Sequence, residues 1–343
     1  MTVYEMEEEL KKLIWEEFPK LYDFAPLSDV QLLKYSENIT FKLTFRERAD
    51  EDISESDDMA PVVFRVHRPG YHSREELISE MRWMEEIASD TDVCLPKVFH
   101  GKDGKELQQL SAPDGRKWNC SVVSFLEGRL MGEISGEELS DAIRQIGGIT
   151  ARLHLQAIGR NKEIKLDRPS WDIHNFFDRD GIWGSWRDYP GLTEEQENVL
   201  SECQRKITKR LDEYGRSDRH YGIIHGDLHF NNIICRNGVS QIFDFDDCGY
   251  GFYLYDLGCT LVTCSEDLEN LTGKWLEGYE EYRTLSMEEK GMLPMFILLR
   301  RIVRLAWLAS HQDSDTWNEV EEGYLNITIH MAEKWLAESG GSI

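Results

Sequence analysis

Asp227, Asn232 and Asp244 carry the oxygen atoms in this chain best placed to do chemistry. They lie in Ile224-His225-Gly226-Asp227-Leu228-His229-Phe230-Asn231-Asn232 and in Ile242-Phe243-Asp244-Phe245-Asp246-Asp247, about two dozen residues in all. Between them, two apolar runs flank Asn237-Gly238, a dipeptide whose tolerance of positive φ makes it a two-residue hairpin turn. The hairpin register pairs Arg236 with Val239 and, counting back, Asn232 with Phe243. It therefore returns Asp244 to the open end where Asn232 begins, with Asp227 on the loop just before. Amide and carboxylate oxygens at such a mouth suit a hard cation such as Mg²⁺, which keeps waters and takes phosphate oxygens as its other ligands. An aspartate left out of the metal set can accept the proton of a hydroxyl. Asp227, Asn232 and a later Asp244 match the D-x-x-x-x-N pattern with a following Asp used in phosphoryl transfer.

A rival chemistry shares part of this stretch. Gly226-Asp227-Leu228-His229 also fits the first metal box of binuclear metallophosphoesterases, but the second G-D box and the G-N-H box they require are missing, as is an H-E-x-x-H zinc motif. Asp246 and Asp247 sit just past the metal residue. They either bind a cationic group of a substrate or are solvated, and the sequence leaves both readings open.

Bulk properties narrow the classes further. The 343 residues are enough for one large domain or two lobes. With 39 basic and 64 acidic side chains the formal charge is −25, which repels nucleic acid and anionic membrane surfaces; it either makes a well-hydrated surface or suits a cationic substrate. The seven cysteines are scattered without a C-x-x-C pair, and the N-terminus is acidic where a targeting segment would be basic. This pattern points to reduced thiols and a cytoplasmic protein. The most apolar run, Met292 to Leu308, contains Arg300, Arg301 and Arg304, and is too short and too charged to span a bilayer.

Several elements must position the chemistry. Residues 3–18 read as an amphipathic helix (Met6, Leu10, Leu13, Ile14) ended by Pro19. Strands follow within 30–46, then a solvated acidic loop over 47–60 and a strand over 61–66. Residues 74–88 form a helix whose apolar face (Leu77, Met81, Met84) also carries Glu80; an inward carboxylate there needs a cation, and Arg65 on the preceding strand is the candidate. A strand over 118–125 closes the β-rich part, and the lobe boundary falls near residue 127, giving lobes 1–127 and 128–343. Beyond it come a helix over 137–156 with Gly147-Gly148 set for close packing, an aromatic-rich loop over 165–192, and a helix over 193–214 with Val199, Cys203, Ile207 and Leu211 inward. Helices near 266–283, 287–311 and 316–338 complete the chain.

His225-Gly226-Asp227-Leu228-His229-x-x-Asn232 followed by Asp244 resembles the aminoglycoside phosphotransferase-like branch of the protein-kinase-like superfamily. Further matches fall in order: Ser36-Glu37-Asn38 resembles the short nucleotide loop, Glu80 the helix-C glutamate, Ser124-Phe125-Leu126 the adenine hinge, Leu153-His154 a common Leu-His pair, and Tyr255-Asp256-Leu257 the segment carrying a buried Asp. The resemblance implies an α+β, two-lobed kinase fold with a small β-rich N-lobe and a larger helical C-lobe. It implies ATP and Mg²⁺, with Ser36, Asn38, Arg65, Glu80, Ser124 and Leu126 on the nucleotide side, Asn232 and Asp244 on the metal, and Asp227 receiving the acceptor hydroxyl. His225, His229 and Asp256 would brace the catalytic turn. One position departs from the family pattern: Arg65 stands where a Lys is usual, and Lys42 on a neighbouring strand is the other candidate for the phosphates. The implied acceptor is an aminoglycoside, homoserine or choline-like alcohol. The alternatives are a bacterial-type Ser/Thr protein kinase and a non-catalytic nucleotide-binding protein.

Overall fold

The computed structural model describes residues 3–35, 38–46, 60–160, 165–312 and 323–339. Ser36, the acidic stretch up to Met59 and residues 316–322 of the last expected helix lie outside them. The chain divides into two compact units: Met1–Glu127 with Lys165–Asp167, and Gly128–Ile164 with Arg168–Ile343.

The first unit is β-rich. It contains α1 (Val3–Leu21), β1 (Leu27–Tyr35), β2 (Asn38–Phe45), β3 (Val62–His67), α2 (Arg74–Asp90), β4 (Val98–Phe99), β5 (Gln108–Ser111) and β6 (Lys117–Ser124). The strands pair antiparallel in the order β1-β2-β3-β6-β4, with β5 also on β6. α1 lays Leu10, Ile14 and Phe18, with Tyr22 just past its end, against Phe41, Leu43, Phe64 and Val122 of the sheet, a continuous apolar core. Pro19 does not end α1, which runs on to Leu21. A proline in the last turn forfeits a single backbone bond, and the burial of Phe18 and Tyr22 outweighs it. α2 starts on a full capping box, the Ser73 and Glu76 side chains each bonding the other's backbone N–H.

The second unit is mainly helical: β7 (Arg129–Leu130), α3 (Gly136–Gly159), β8 (Ser170–Trp171), α4 (Ile173–Phe177), α5 (Glu194–Tyr214), β9 (Tyr221–Ile224), β10 (Ile233–Arg236), β11 (Val239–Ile242), β12 (Gly249–Phe252), α6 (Tyr255–Leu261), α7 (Leu268–Glu280), α8 (Met287–Ser310) and α9 (Tyr324–Ser339). Gly147 of α3 and Gly278 of α7 let the two backbones touch: a Cβ on either would collide with a carbonyl of the facing helix. On α5 the inward residue of the first turns is Leu200, fully buried, rather than its neighbour Val199. The 165–192 segment covers the core with anchored aromatics, Trp171, Phe176, Phe177, Trp183 and Trp186 all being buried. Among the described residues, no helix is long and apolar enough to cross a membrane.

Candidate active site

Two small sheets of the second unit carry the motif. β10 and β11 form the expected hairpin with Arg236 opposite Val239 and Ile233 opposite Ile242, and the Phe243 N–H donates to the Asn232 carbonyl at 3.1 Å. Asn237 and Gly238 have φ of 52° and 78°, the two positive values this tight turn requires. The second sheet sets β12 antiparallel to β9, Gly249 opposite Ile224, which brings the turn after β9 beside the Asp246–Cys248 backbone. Gly226, at φ 79°, is confined there: a Cβ would lie 2.5 Å from the Asp247 carbonyl oxygen.

Asp256, fully buried on α6, holds this turn from below. Its Oδ1 accepts the Gly226 N–H at 2.9 Å and its Oδ2 the His225 N–H at 3.2 Å. Oδ2 also meets His154 Nε2 at 3.2 Å, while His154 Nδ1 meets the Tyr279 hydroxyl at 2.8 Å. Arg283 can only donate, and it donates to the Tyr279 oxygen. The Asp256 carboxylate can only accept, so His154 donates from Nε2 and its bare Nδ1 accepts the Tyr279 hydroxyl. Burial lowers the His154 pKa against the pull of Asp256, in keeping with this neutral, donating ring. His225 packs its ring on Phe245 and places Nε2 3.2 Å from the Phe243 carbonyl; burial lowers its pKa too.

Asp227 stands at the centre. Its Oδ2 accepts Asn232 Nδ2 at 3.1 Å and lies 3.2 Å from His229 Nε2; its Oδ1 accepts Nη2 of Arg300 at 2.5 Å. His229 Nδ1 accepts the Asn231 N–H at 3.1 Å, which leaves Nε2 as the donor to Asp227. Burial would raise the Asp227 carboxyl, but His229, Arg300 and His225 outweigh it and hold it far below the usual carboxylate range. The side chain keeps 17% of its surface exposed, so a small molecule can reach it.

The metal candidates fit a hard cation. Asn232 is buried and donates its amide nitrogen twice, to the Asp227 carbonyl at 2.9 Å and to Oδ2, which leaves the amide oxygen for a ligand role. Asp244 is held at φ 64°, a left-handed conformation unusual for a side-chain-bearing residue and concentrated at functional sites. Asp246 is buried and Asp247 half-buried, so neither is a freely solvated surface acid. Their backbone carbonyls are taken by Arg168 and by Trp171 Nε1 respectively. Burial, then repulsion from Asp227 and Asp246, pushes the Asp247 carboxyl well above its ordinary value.

The residues expected on the nucleotide side, Ser36 apart, belong to the first unit. Arg65 of β3 donates from Nη1 to Glu80 Oε1 at 2.6 Å, and Glu80 is fully buried on α2. Lys42 is one strand away, its Nζ 4.0 Å from the centre of the Phe125 ring. Asn38 is buried, with its side-chain oxygen 3.4 Å from the Arg68 N–H. Ser124 makes both N–H and hydroxyl contacts with the Lys97 backbone, and Phe125 N–H donates to the Pro61 carbonyl, fixing the segment that leads to Leu126.

Arg300 is the residue that sequence reasoning missed. It sits on α8 in the run noted only as too charged for a membrane span. Three arginines in an otherwise buried apolar helix are themselves a signal, since each buried charge needs a partner. The signal does not say which partner, and the one found is 73 positions away.

The family model described as "Phosphotransferase enzyme family" matches residues 53–288. Amicoumacin kinase of Bacillus subtilis (strain 168) is 23% identical over 279 residues, covering 78% of this chain and 80% of its own. Among solved structures, a microcompartment-associated aminopropanol kinase is 28% identical with a TM-score of 0.81, covering 96% of this chain and 98% of that one. An amicoumacin kinase in complex with AMP-PNP, Ca²⁺ and Ami is 18% identical with a TM-score of 0.72, covering 97% and 95%. The family model spans well over half of the sequence and takes in the whole Asp227–Asp244 hairpin, so the chain belongs to the phosphotransferase enzyme family.

Proposed function

We propose that this small-molecule kinase transfers the γ-phosphoryl group of ATP to the hydroxyl of an amino alcohol, with Asp227 as the residue that receives the hydroxyl. The observation that carries the reading is the fixed Asp227 carboxylate, gripped on both oxygens yet partly open to a small molecule. A divalent cation held by the Asn232 amide oxygen and Asp244 would neutralise charge on the phosphates. Arg65, oriented by Glu80, is the phosphate contact, and the backbone of Ser124 and Leu126 receives the adenine; Asn38, with Ser36, belongs to the nucleotide loop. The acceptor oxygen forms the new bond to phosphorus as the bond to the bridging oxygen of ADP breaks, and the acceptor's proton passes to Asp227. A carboxylate held so strongly ionised is a weak base. Its contribution is therefore mainly orientation of the hydroxyl, with proton transfer late in the step.

Asp246 and Asp247 support an acceptor with an ammonium group, since a cation there would offset both the burial and the carboxylate repulsion that raise Asp247. The excess of acidic side chains favours approach of such a molecule. Purified protein is incubated with labelled Mg·ATP and a panel of amino alcohols, homoserine, choline, aminoglycosides and generic proteins. Label on an amino alcohol, falling about 10²–10⁴-fold in Asp227→Asn, is the expected result. Label on protein alone, or transfer that survives Asp227→Asn, refutes the assignment.

A further inference from the structure

An ionised carboxylate offers about four acceptor positions, two per oxygen. On Asp227, Oδ2 takes both Asn232 Nδ2 and His229 Nε2, so its positions are filled. Oδ1 takes Arg300 Nη2, which leaves one position there. A hydroxyl that donates to Asp227 without breaking these bonds must therefore use Oδ1, alongside the Arg300 guanidinium.

The surroundings of Arg300 hold it for this task. Its guanidinium carbon lies 4.6 Å from the Trp183 ring centre and 5.9 Å from that of Tyr255, both rings buried. The adjacent arginine does something different. Arg301 donates to the Val262 carbonyl at 2.8 Å and to Thr328 Oγ1 at 3.2 Å, tying α8 to the end of α6 and to α9. Arg304, one turn on from Arg300, lies 5.2 Å from the Tyr324 ring. Of the three, Arg300 is the one that contacts Asp227.

We infer that Arg300 is a positioning residue for phosphoryl transfer: it fixes the Asp227 carboxylate so that the open position on Oδ1 receives the acceptor hydroxyl, with Trp183 and Tyr255 steadying the guanidinium. The inference rests on Asp227 being the hydroxyl-receiving group. A planar guanidinium lying over an indole defines direction in a way that a lysine ammonium does not. Asp227 without Arg300 keeps its bonds on Oδ2 but is free to tilt about them.

The test is a kinetic series on the full chain with Mg·ATP and the best acceptor. Arg300→Gln lowers kcat about 10- to 100-fold while KM for ATP stays within about two-fold, because the nucleotide-side residues are untouched. Arg300→Lys, which keeps the charge and loses the fork, falls between wild type and Arg300→Gln. Arg301→Lys, on the structural arginine, shifts the melting temperature and leaves kcat near wild type. Melting temperatures of Asp227→Asn, Arg300→Gln and the double variant form a cycle: each single variant removes one side of the same contact, so the double variant loses less than the sum of the two. Should Arg300→Gln fail to fold, the graded kcat of Arg300→Lys carries the same decision. Arg300→Lys equal to wild type, Arg300→Gln within about two-fold in kcat, or additive melting shifts each overturn the role. Absence of turnover by the wild type with every acceptor sinks the kinase reading and the role with it; wild-type turnover indifferent to Arg300 sinks the role alone.

Discussion

Asp256→Asn removes one charge and changes one atom, yet it strikes the base of the turn that carries Asp227. Three donors converge on this carboxylate: Gly226 N–H on Oδ1, and His225 N–H with His154 Nε2 on Oδ2. An asparagine has a single acceptor oxygen. Turned toward His225 and His154, it sets its NH₂ against the Gly226 N–H; turned the other way, it strands two donors. The better arrangement leaves one buried N–H unsatisfied, at about 1–3 kcal/mol, and weakens the remaining bonds by taking away the charge. The sum is about 2–4 kcal/mol.

Stability and rate should move together but on different readouts. The loss falls on the His225–Asp227 backbone, so Asp227 is displaced while Arg65 and Glu80 are not. Unfolding followed by tryptophan fluorescence should show the destabilisation, and steady-state kinetics a kcat about 10- to 100-fold lower with KM for ATP little changed. His154→Gln, which can still donate to Asp256, should lie between the two proteins. An Asp256→Asn protein within about 0.5 kcal/mol of wild type refutes the buried-carboxylate argument, since exposed substitutions commonly fall in that range. A destabilised protein with unchanged kcat refutes the link from Asp256 to the turn's catalytic geometry.

Arg65→Ala takes the guanidinium from the fully buried Glu80 and should cost about 3 kcal/mol of stability while raising KM for ATP; an unchanged KM transfers the phosphate contact to Lys42, and Lys42→Ala then shows the rise. Thiol labelling under native conditions should modify Cys94 first, because it is exposed, whereas Cys120 and Cys203 are buried with thiols pushed up to about 12, Cys259 is raised by burial as well, and thiolate is the reactive form. Mass spectrometry after brief exposure to iodoacetamide checks the order, and early modification of Cys259, whose thiol donates to the Gly226 carbonyl at 3.0 Å, would contradict its burial.

What could be read from the sequence was local or strongly constrained. The Asn237-Gly238 turn encodes its own conformation, and from it the register that returns Asp244 to Asn232 follows by counting. Glu80 could be paired with Arg65 because a carboxylate on an apolar helix face demands a cation and the neighbouring strand supplied one. Pro19 misleads for the opposite reason: a helix-breaking residue carries no sign of the aromatic burial that takes the last turn through it. The parallel pairing of β8 with β12 spans only Ser170–Trp171 against Tyr250–Gly251, too short for any periodicity to register.

Arg300 shows where this kind of reading stops, and why. Its burial was foreseeable, since α8 is apolar on nearly every side, and buried charge implies a counter-charge. The identity of the counter-charge depends on how α8 is rotated and where it crosses the loop after β9, quantities set by packing across the whole second unit. Asp227, Asp244, Asp246 and Asp247 were all available as partners by type. Had Arg300 met Asp246 or Asp247 instead, it would have competed for the carboxylates proposed to receive a cationic substrate. Its hydrogen bond goes to Asp227, the carboxylate whose direction the proposed reaction depends on, while its charge also acts on Asp247.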